Sequence, residues 1–302
     1  MTTWPLFAEP DLPSIEAAVG APRGFDDATA TALRAALPAI DTKPTSIRAA
    51  DHAQQQLIDL FRAHDHRGAA FLDVYHGITV AVIEAIERGT LTPARFFERL
   101  AGRFAERHFD GVKAELGLDT TADAARYHLW APSFALDNML ASESPLGMKA
   151  PMAHFTVGMC CHINFDLACA LDETIRELGY AEDAAALAEI ERGHNFVDTI
   201  LHEKVENSCA LLAKEMDCPM SKKILESGAV KTVGEVSMAM IRRWRAKTFV
   251  HALQLVRAPD DAARAEIRRE IYRAGARKTL RLFASLPALV EGTLRGTWLA
   301  PV

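Results

Sequence analysis

Residues 153–167 read AHFTVGMCCHINFDL, an apolar stretch in which polar side chains recur four residues apart. This spacing places His154, Gly158, His162 and Asp166 on one face of a helix, one turn above another. Burying such polar groups without partners costs about 1–3 kcal/mol or more each. The stretch therefore needs either a satisfied hydrogen-bonding network or a ligand.

A second helical segment repeats the His-x-x-x-Asp step with His194 and Asp198, and the same stride continues to His202 and Glu206. If the two helices face each other, their imidazole and carboxylate groups meet in one buried pocket. The sequence therefore predicts a site between these helices. A structural network in the first segment and a solvated face in the second are the alternative interpretations.

Helical periodicity and capping signals dominate the chain from about Ser46 onward. A long apolar run predicts one helix over about 150–178, and a second run predicts another over 182–216 with a kink near Gly193. We find no alternating strand pattern. The sequence predicts an all-α, single-domain bundle of about ten helices over residues 46–302, preceded by an irregular, proline-rich arm over residues 1–45 with one short helix.

The composition is that of a globular protein with a large core, at 302 residues, 49% hydrophobic and 25% charged. A formal net charge of −6 gives no support for nucleic-acid binding. Basic side chains gather late in the chain, at 242–247 and 268–281, with acidic residues interleaved in the second group. This pattern favours a solvated helix face over an anion-binding surface.

The cysteine pattern and the N-terminal sequence indicate the compartment. An odd number of cysteines without a Cys-x-x-Cys pair favours reduced, buried thiols. We see no signal peptide and no apolar run that approaches the roughly 18–20 residues a membrane span needs. We therefore expect a cytoplasmic protein with a small-molecule substrate and no nucleic-acid or membrane partner. The cysteines are Cys160, Cys161, Cys169, Cys209 and Cys218.

Several other residues have the right chemistry for a site, but each alone favours a structural role. Trp244, between two arginines, favours packing over stacking on a ligand. No glycine-rich phosphate loop or serine-nucleophile motif is present, so we expect no nucleotide cofactor. The remaining candidates are Asp73, His76, Arg107, His108 and Asp137.

The chain resembles DUF5995, an all-helical bacterial family of unknown function. The resemblance rests on Phe71–Tyr75, on Phe97–Asp110 and above all on Gly158–Leu167, which reads GMCCHINFDL. The family signature is close to Gly-Met-Asn-Ala-His-Ile-Asn-x-Asp-Leu, so two cysteines replace Asn-Ala here. The resemblance covers roughly residues 60–285. It implies a helical fold and points at His162, Asn164 and Asp166 as site residues.

A fainter resemblance concerns ligand spacing only. The zinc phospholipase C and P1 nuclease group is also all-α, and its metal helices carry His-x-x-x-Asp and His-x-x-x-Glu steps. Here His162/Asp166 and His202/Glu206 have that spacing. In that group an N-terminal tryptophan is a metal ligand. It has no counterpart here, because Trp4 is not at position 1 and Met1 precedes it.

Three hypotheses for function follow from these patterns. The first is an enzyme of small-molecule or secondary metabolism that uses zinc or iron for hydrolysis or cyclisation. The second is a metal-free enzyme, a cyclase, isomerase or lyase, with His162 as general acid or base. The third is a non-catalytic helical binding protein. The predicted catalytic residues are His162, Asn164, Asp166 and Asp198. The predicted metal ligands are His162, Asp166, His194 and Asp198, with His76 or His202 assisting.

Overall fold

The computed structural model describes residues 25–118, 129–134, 150–215 and 229–294, and every regular element within them is helical. The all-α prediction is confirmed. The elements are α1 (Asp27–Ala36), a 3₁₀ turn (Leu37–Ala39), α2 (Ile47–Ala63), α3 (Ala69–Glu87), α4 (Ala94–Glu115), α5 (Ala131–Phe134), α6 (Ala150–Cys161), a π-helical segment (His162–Asp166), α7 (Leu167–Glu177), α8 (Ala184–Glu215), α9 (Ala229–Val256) and α10 (Asp261–Leu294).

The described residues hold eight long helices, fewer than the ten predicted. Helices α6 and α7 form one continuous rod through the π-helical segment, and α5 is a single turn. The sequence also predicts that one helix ends near Ser285 and that Pro287 begins another, but α10 continues through both positions. Proline removes one backbone hydrogen bond and often bends a helix without ending it. Helix α8 also runs through Gly193. The short helices predicted near residues 121–141 and 219–225 lie largely outside the described residues.

Local sequence fixes several helix ends as expected. The Asp26 side chain accepts a hydrogen bond from the Thr29 N–H at 2.8 Å and caps α1. The Ser46 hydroxyl accepts one from the Ala49 N–H at 3.2 Å and caps α2. These side chains satisfy backbone donors that have no partner within the helix. The sequence predicts Pro93 as the first residue of the next helix, whereas in the structure it immediately precedes α4.

The packing of the helices places the π-helical segment at a junction. Helix α3 packs against α2, α6 and α8, while α9 packs against α7 and α8. The π-helical segment contacts α4, α9 and α10. The predicted arm also contributes to the core, because the Phe25 ring lies 4.8 Å from that of Phe134. Residues 1–24 lie outside the described part, and the single-domain division stays a prediction.

Helix α3 corrects one expectation about membranes. By length and composition it is apolar enough to cross a bilayer, although isolated polar residues interrupt its apolar run. Within its most apolar window, 61% is buried inside the protein. A core helix passes the same test of length and composition, and Phe71, Leu72 and Tyr75 of α3 are core residues.

Candidate functional site

The signature stretch forms a π-helical segment in the middle of the α6–α7 rod. The Leu167 N–H bonds to the His162 carbonyl, five residues back, which widens the turn. The Ile163 carbonyl accepts a hydrogen bond from the Thr248 hydroxyl of α9 at 2.9 Å. Single π-helical turns inside α-helices occur often at functional sites. The widened turn is fixed here by a partner from another helix.

His162 and Asp166 form a direct hydrogen bond within this segment. His162 Nδ1 lies 2.9 Å from Asp166 Oδ2, and Trp130 Nε1 donates to the same oxygen at 2.9 Å. All three side chains are buried. A carboxylate only accepts hydrogen bonds, so the proton of this contact belongs to Nδ1. This assigns the second ring nitrogen, Nε2, as the one with a free lone pair.

Close helix packing positions the Trp130 ring. It lies directly over Gly111 of α4, where an added Cβ would come within 2.5 Å of the indole. Gly158 of α6 likewise allows Phe71 to approach, since a Cβ there would lie 2.7 Å from that ring. The glycine in the signature stretch therefore allows the close approach of an aromatic side chain.

Aromatic rings surround the His162 imidazole. Phe104 stacks on it with a centroid separation of 3.5 Å and an interplanar angle of 6°, and Tyr75 meets it edge-on at 4.6 Å. Among the described atoms, His162 Nε2 is buried and has no hydrogen-bond partner. Burial lowers the pKa of His162, and the hydrogen bond and charge of Asp166 offset part of that shift. The ring is therefore neutral at pH 7.

A cavity of about 90 Å³ adjoins this histidine and is not fully enclosed. Most of its lining is apolar, including Phe104 and Met159. The polar residues that line it are Tyr75, Thr79, His162, His194 and Arg245. The two His-x-x-x-Asp helices thus contribute their histidines to one cavity.

The second His-x-x-x-Asp pair is built around an arginine. Arg245 Nε donates to Asp198 Oδ1 at 2.6 Å, and an Arg245 terminal nitrogen donates to the His194 carbonyl at 2.6 Å. The His194 ring has Nε2 3.3 Å from the Arg245 carbonyl and Nδ1 3.4 Å from an Arg245 guanidinium nitrogen. Burial lowers the pKa of His194 well below its usual value, and Arg245 lowers it further. Both ring nitrogens of His194 therefore face protein partners.

The other predicted ligands lie apart from the cavity. His76 pairs with Asp51 at 2.8 Å, and His202 does not line the cavity. Asn164 donates to the Cys160 carbonyl at 3.0 Å and accepts from Lys278. Across the ranges the structure describes, no three His, Cys, Asp or Glu side chains group as metal ligands. The six residues thus do not assemble one donor set, and zinc or iron stays a prediction.

The secondary candidates mostly have structural partners. Asp73 pairs with Arg62 at 2.8 Å, and Arg107 pairs with Glu173. His108 is buried in the aromatic cluster around Trp130. The buried thiols are Cys160, Cys161 and Cys169; burial raises the pKa of Cys160 to about 11 and that of Cys169 to about 12. Asp137, Cys218 and the side chains of Glu206 and Cys209 lie outside the described part.

Sequence reasoning missed several residues that shape the site. Tyr75 of α3 lies edge-on to the His162 ring, and burial raises its pKa well above the usual value, with Asp166 raising it further. The sequence places Arg245 only in the basic run of 242–247, which favours a solvated face. Trp130 is 36 residues from Asp166 in sequence. A local sequence pattern does not indicate which distant residues will contact the site.

Comparison with known proteins gives one match. The model of a family of unknown function, DUF5995, matches residues 47–284, which is most of the chain. No curated protein and no solved structure gives a significant match. The matched range contains the π-helical segment and both His-x-x-x-Asp steps. The chain therefore belongs to the DUF5995 family.

Proposed function

We propose that the protein is a metal-free general acid–base enzyme, with His162 as the base, acting on a small and partly apolar metabolite. One observation carries the proposal. His162 lines a cavity, its Nδ1–H is held by Asp166, and its Nε2 is buried without a partner in the described residues. A base needs an oriented ring, a free lone pair and access to a substrate, and this arrangement supplies the first two beside a cavity.

The proton transfer follows from the protonation state. Neutral His162 accepts a proton from a substrate C–H or O–H at Nε2, and Asp166 stabilises the imidazolium that forms. The imidazolium then returns the proton to another substrate atom, so the step is an isomerisation, an elimination or a cyclisation. Positioned general bases typically contribute about 10²–10⁴-fold to the rate.

Tyr75 gives the cavity a neutral hydrogen-bond donor. The raised pKa of its phenol keeps it protonated, so it can donate to a substrate oxygen on which negative charge develops. The mostly apolar lining disfavours a highly charged reacting group, because such a group loses its hydration there. We therefore expect a substrate with a carbonyl or hydroxyl oxygen on an otherwise apolar end.

The experiment is a turnover screen on the purified protein with small carbonyl and hydroxy compounds, read by mass spectrometry. His162→Gln is expected to abolish the conversion that the wild type shows. His108→Gln is the matched control, because His108 is buried in the same aromatic cluster without lining the cavity. Circular dichroism checks that both variants fold.

Three outcomes would contradict the proposal. Equal turnover by wild type and His162→Gln would remove His162 from the chemistry. Loss of turnover on chelation, with recovery on adding zinc or iron, would favour the metal-dependent hydrolase or cyclase. No conversion of any compound, together with saturable binding, would favour the non-catalytic binding protein.

A further inference from the structure

A second and larger cavity lies between α9 and α10. Its volume is about 480 Å³, within the range typical of small-molecule sites. One face of α9 supplies most of the lining, and α10 adds one lysine. The lining residues are Ala239, Met240, Arg243, Trp244, Lys247 and Lys278.

Three cationic side chains converge on this cavity without a matching acid. In the parts of the chain that the structure describes, Arg243, Lys247 and Lys278 make no ion pair with Asp or Glu, and Lys278 donates a hydrogen bond to the Asn164 side-chain oxygen. Several other arginines of these two helices are paired, as Arg245 is with Asp198 and Arg269 with Glu266. Like charges held close together repel, so the cluster is destabilising until an anion joins it.

The pKa values of ionisable groups around the cavity reflect the same excess of positive charge. Burial lowers the pKa of Lys278, and the charges of Lys247 and Arg243 lower it further. Burial lowers the pKa of the neighbouring His251 to about 4, with further lowering by Lys247 and Lys278. Excess positive charge therefore extends across the α9–α10 surface, in a chain whose net charge is −6.

We propose that this cavity binds a small phosphate monoester, with its phosphate held by Arg243, Lys247 and Lys278. Arginine and lysine donate charge-assisted hydrogen bonds to phosphate oxygens, and a dianion offsets most of three positive charges. The cavity is several times larger than a phosphate group. Its apolar part, with Trp244 and Met240, suits an aromatic or aliphatic body attached to the phosphate. The proposal differs from the sequence-based interpretation of 242–247, which favours a solvated face over an anion-binding surface.

The site is distinct from the His162 cavity, so the two proposals fail separately. The probes are phenyl phosphate, inorganic phosphate and benzoate, which separate the dianion from the aromatic body. Isothermal titration calorimetry is expected to show saturable binding of phenyl phosphate with a Kd near or below about 1 mM. Inorganic phosphate and benzoate are each expected to bind at least about tenfold more weakly.

The variants use exposed side chains, so folding is retained. Arg243→Gln and Lys247→Gln are each expected to weaken phenyl phosphate binding about tenfold, as loss of a charge-assisted hydrogen bond predicts. Arg242→Gln is the matched control: it is exposed on the same helix, does not line the cavity, and is expected to change the Kd less than about twofold.

Three results would overturn the proposal. The first is no saturable heat with phenyl phosphate. The second is equal weakening by Arg242→Gln, which would indicate non-specific attraction to a basic surface. The third is benzoate binding as tightly as phenyl phosphate, which would assign the cavity to carboxylates.

Discussion

The two His-x-x-x-Asp steps share a spacing and line one cavity, yet they differ in the partner that each carboxylate takes. In the π-helical segment, Asp166 bonds directly to His162 and leaves one ring nitrogen free. In α8, Asp198 bonds to Arg245, and both nitrogens of His194 face that same arginine. We propose that the first pair transfers protons, whereas the second holds a wall of the cavity. Spacing brings groups to one face, but distant partners decide their chemistry.

Replacing the aspartate of each pair by asparagine is expected to give the largest difference, which is a difference in kcat. Asp166→Asn is expected to lower kcat about 100-fold or more, because the imidazole loses its orienting acceptor and stabilising charge. Asp198→Asn is expected to keep kcat within about tenfold and to lower the free energy of unfolding by about 1–2 kcal/mol. Steady-state kinetics on a converted compound and urea unfolding measure the two effects. Equal losses of kcat would erase the distinction between the pairs.

Asp166→Asn also has a defined effect on pH dependence. Asp166 raises the pKa of His162 against the larger lowering by burial. Removing its charge therefore lowers that pKa further, and the acid limb of kcat/KM moves to lower pH. The wild-type limb itself is expected below pH 6.5, because the base must be neutral. If the acid limb of kcat/KM moved to higher pH in Asp166→Asn, the assigned hydrogen bond between His162 and Asp166 would be contradicted.

The next effect is a loss of folding stability at low pH, which depends on the buried histidines. Burial lowers the folded-state pKa of His108 and His194 well below 6.5. Since the unfolded chain binds protons at these rings below pH 6.5 and the folded chain does not, their stabilisation is complete above pH 6.5 and is lost as pH falls. The expected loss is about 1.4 kcal/mol per pH unit for each, or about 3 kcal/mol for both at pH 5.5.

Urea unfolding between pH 5 and 7.5 measures this loss. His194→Gln should remove about half of the slope that the two rings produce. A slope that His194→Gln does not alter would mean that His194 titrates normally in the folded protein.

Replacing Arg245 is expected to have a smaller effect, and on the free energy of unfolding only. Arg245→Met is expected to lower the free energy of unfolding by about 2–3 kcal/mol, because Asp198 and the His194 carbonyl lose a charged donor. Arg242→Met, at an exposed position of the same helix, is expected to change it by less than about 0.5 kcal/mol. Chemical denaturation measures both. Similar values would mean that the arginine does not hold the second pair together.

The smallest expected effect concerns Trp130. Trp130→Phe removes its hydrogen bond to Asp166 along with some buried surface, whereas Trp244→Phe removes buried surface but no hydrogen bond found among the described atoms. The difference between the two losses of stability is expected to be about 1–2 kcal/mol, the value of a bond to a charged acceptor. Thermal unfolding of the two variants measures it, and equal losses would remove Trp130 from the network.

The sequence predicted what depends on local pattern. Apolar periodicity gave the all-α class, side-chain caps gave the starts of α1 and α2, and the four-residue stride brought His162 to Asp166 and both histidine helices to one cavity. Pro287 misled the prediction because a proline in a helix interior bends it as readily as it ends it. The widened turn at 162–166 has no signal in periodicity.

The rest of the site depends on contacts between distant parts of the chain. Trp130 and Thr248 reach the π-helical segment from elsewhere in the sequence, and Arg245 occupies Asp198 from α9. The cationic cavity likewise needs Lys278 of α10 beside Arg243 and Lys247 of α9. A single sequence reports the residues of one helix face but not the face that packs against it.

The most direct measurement is ¹⁵N nuclear magnetic resonance of the His162 imidazole at pH 7 in the folded protein. The account predicts a neutral ring that carries its proton on Nδ1, with an unprotonated Nε2 whose signal shifts when a substrate occupies the cavity. A ring protonated on Nε2, or one protonated on both nitrogens, would contradict it.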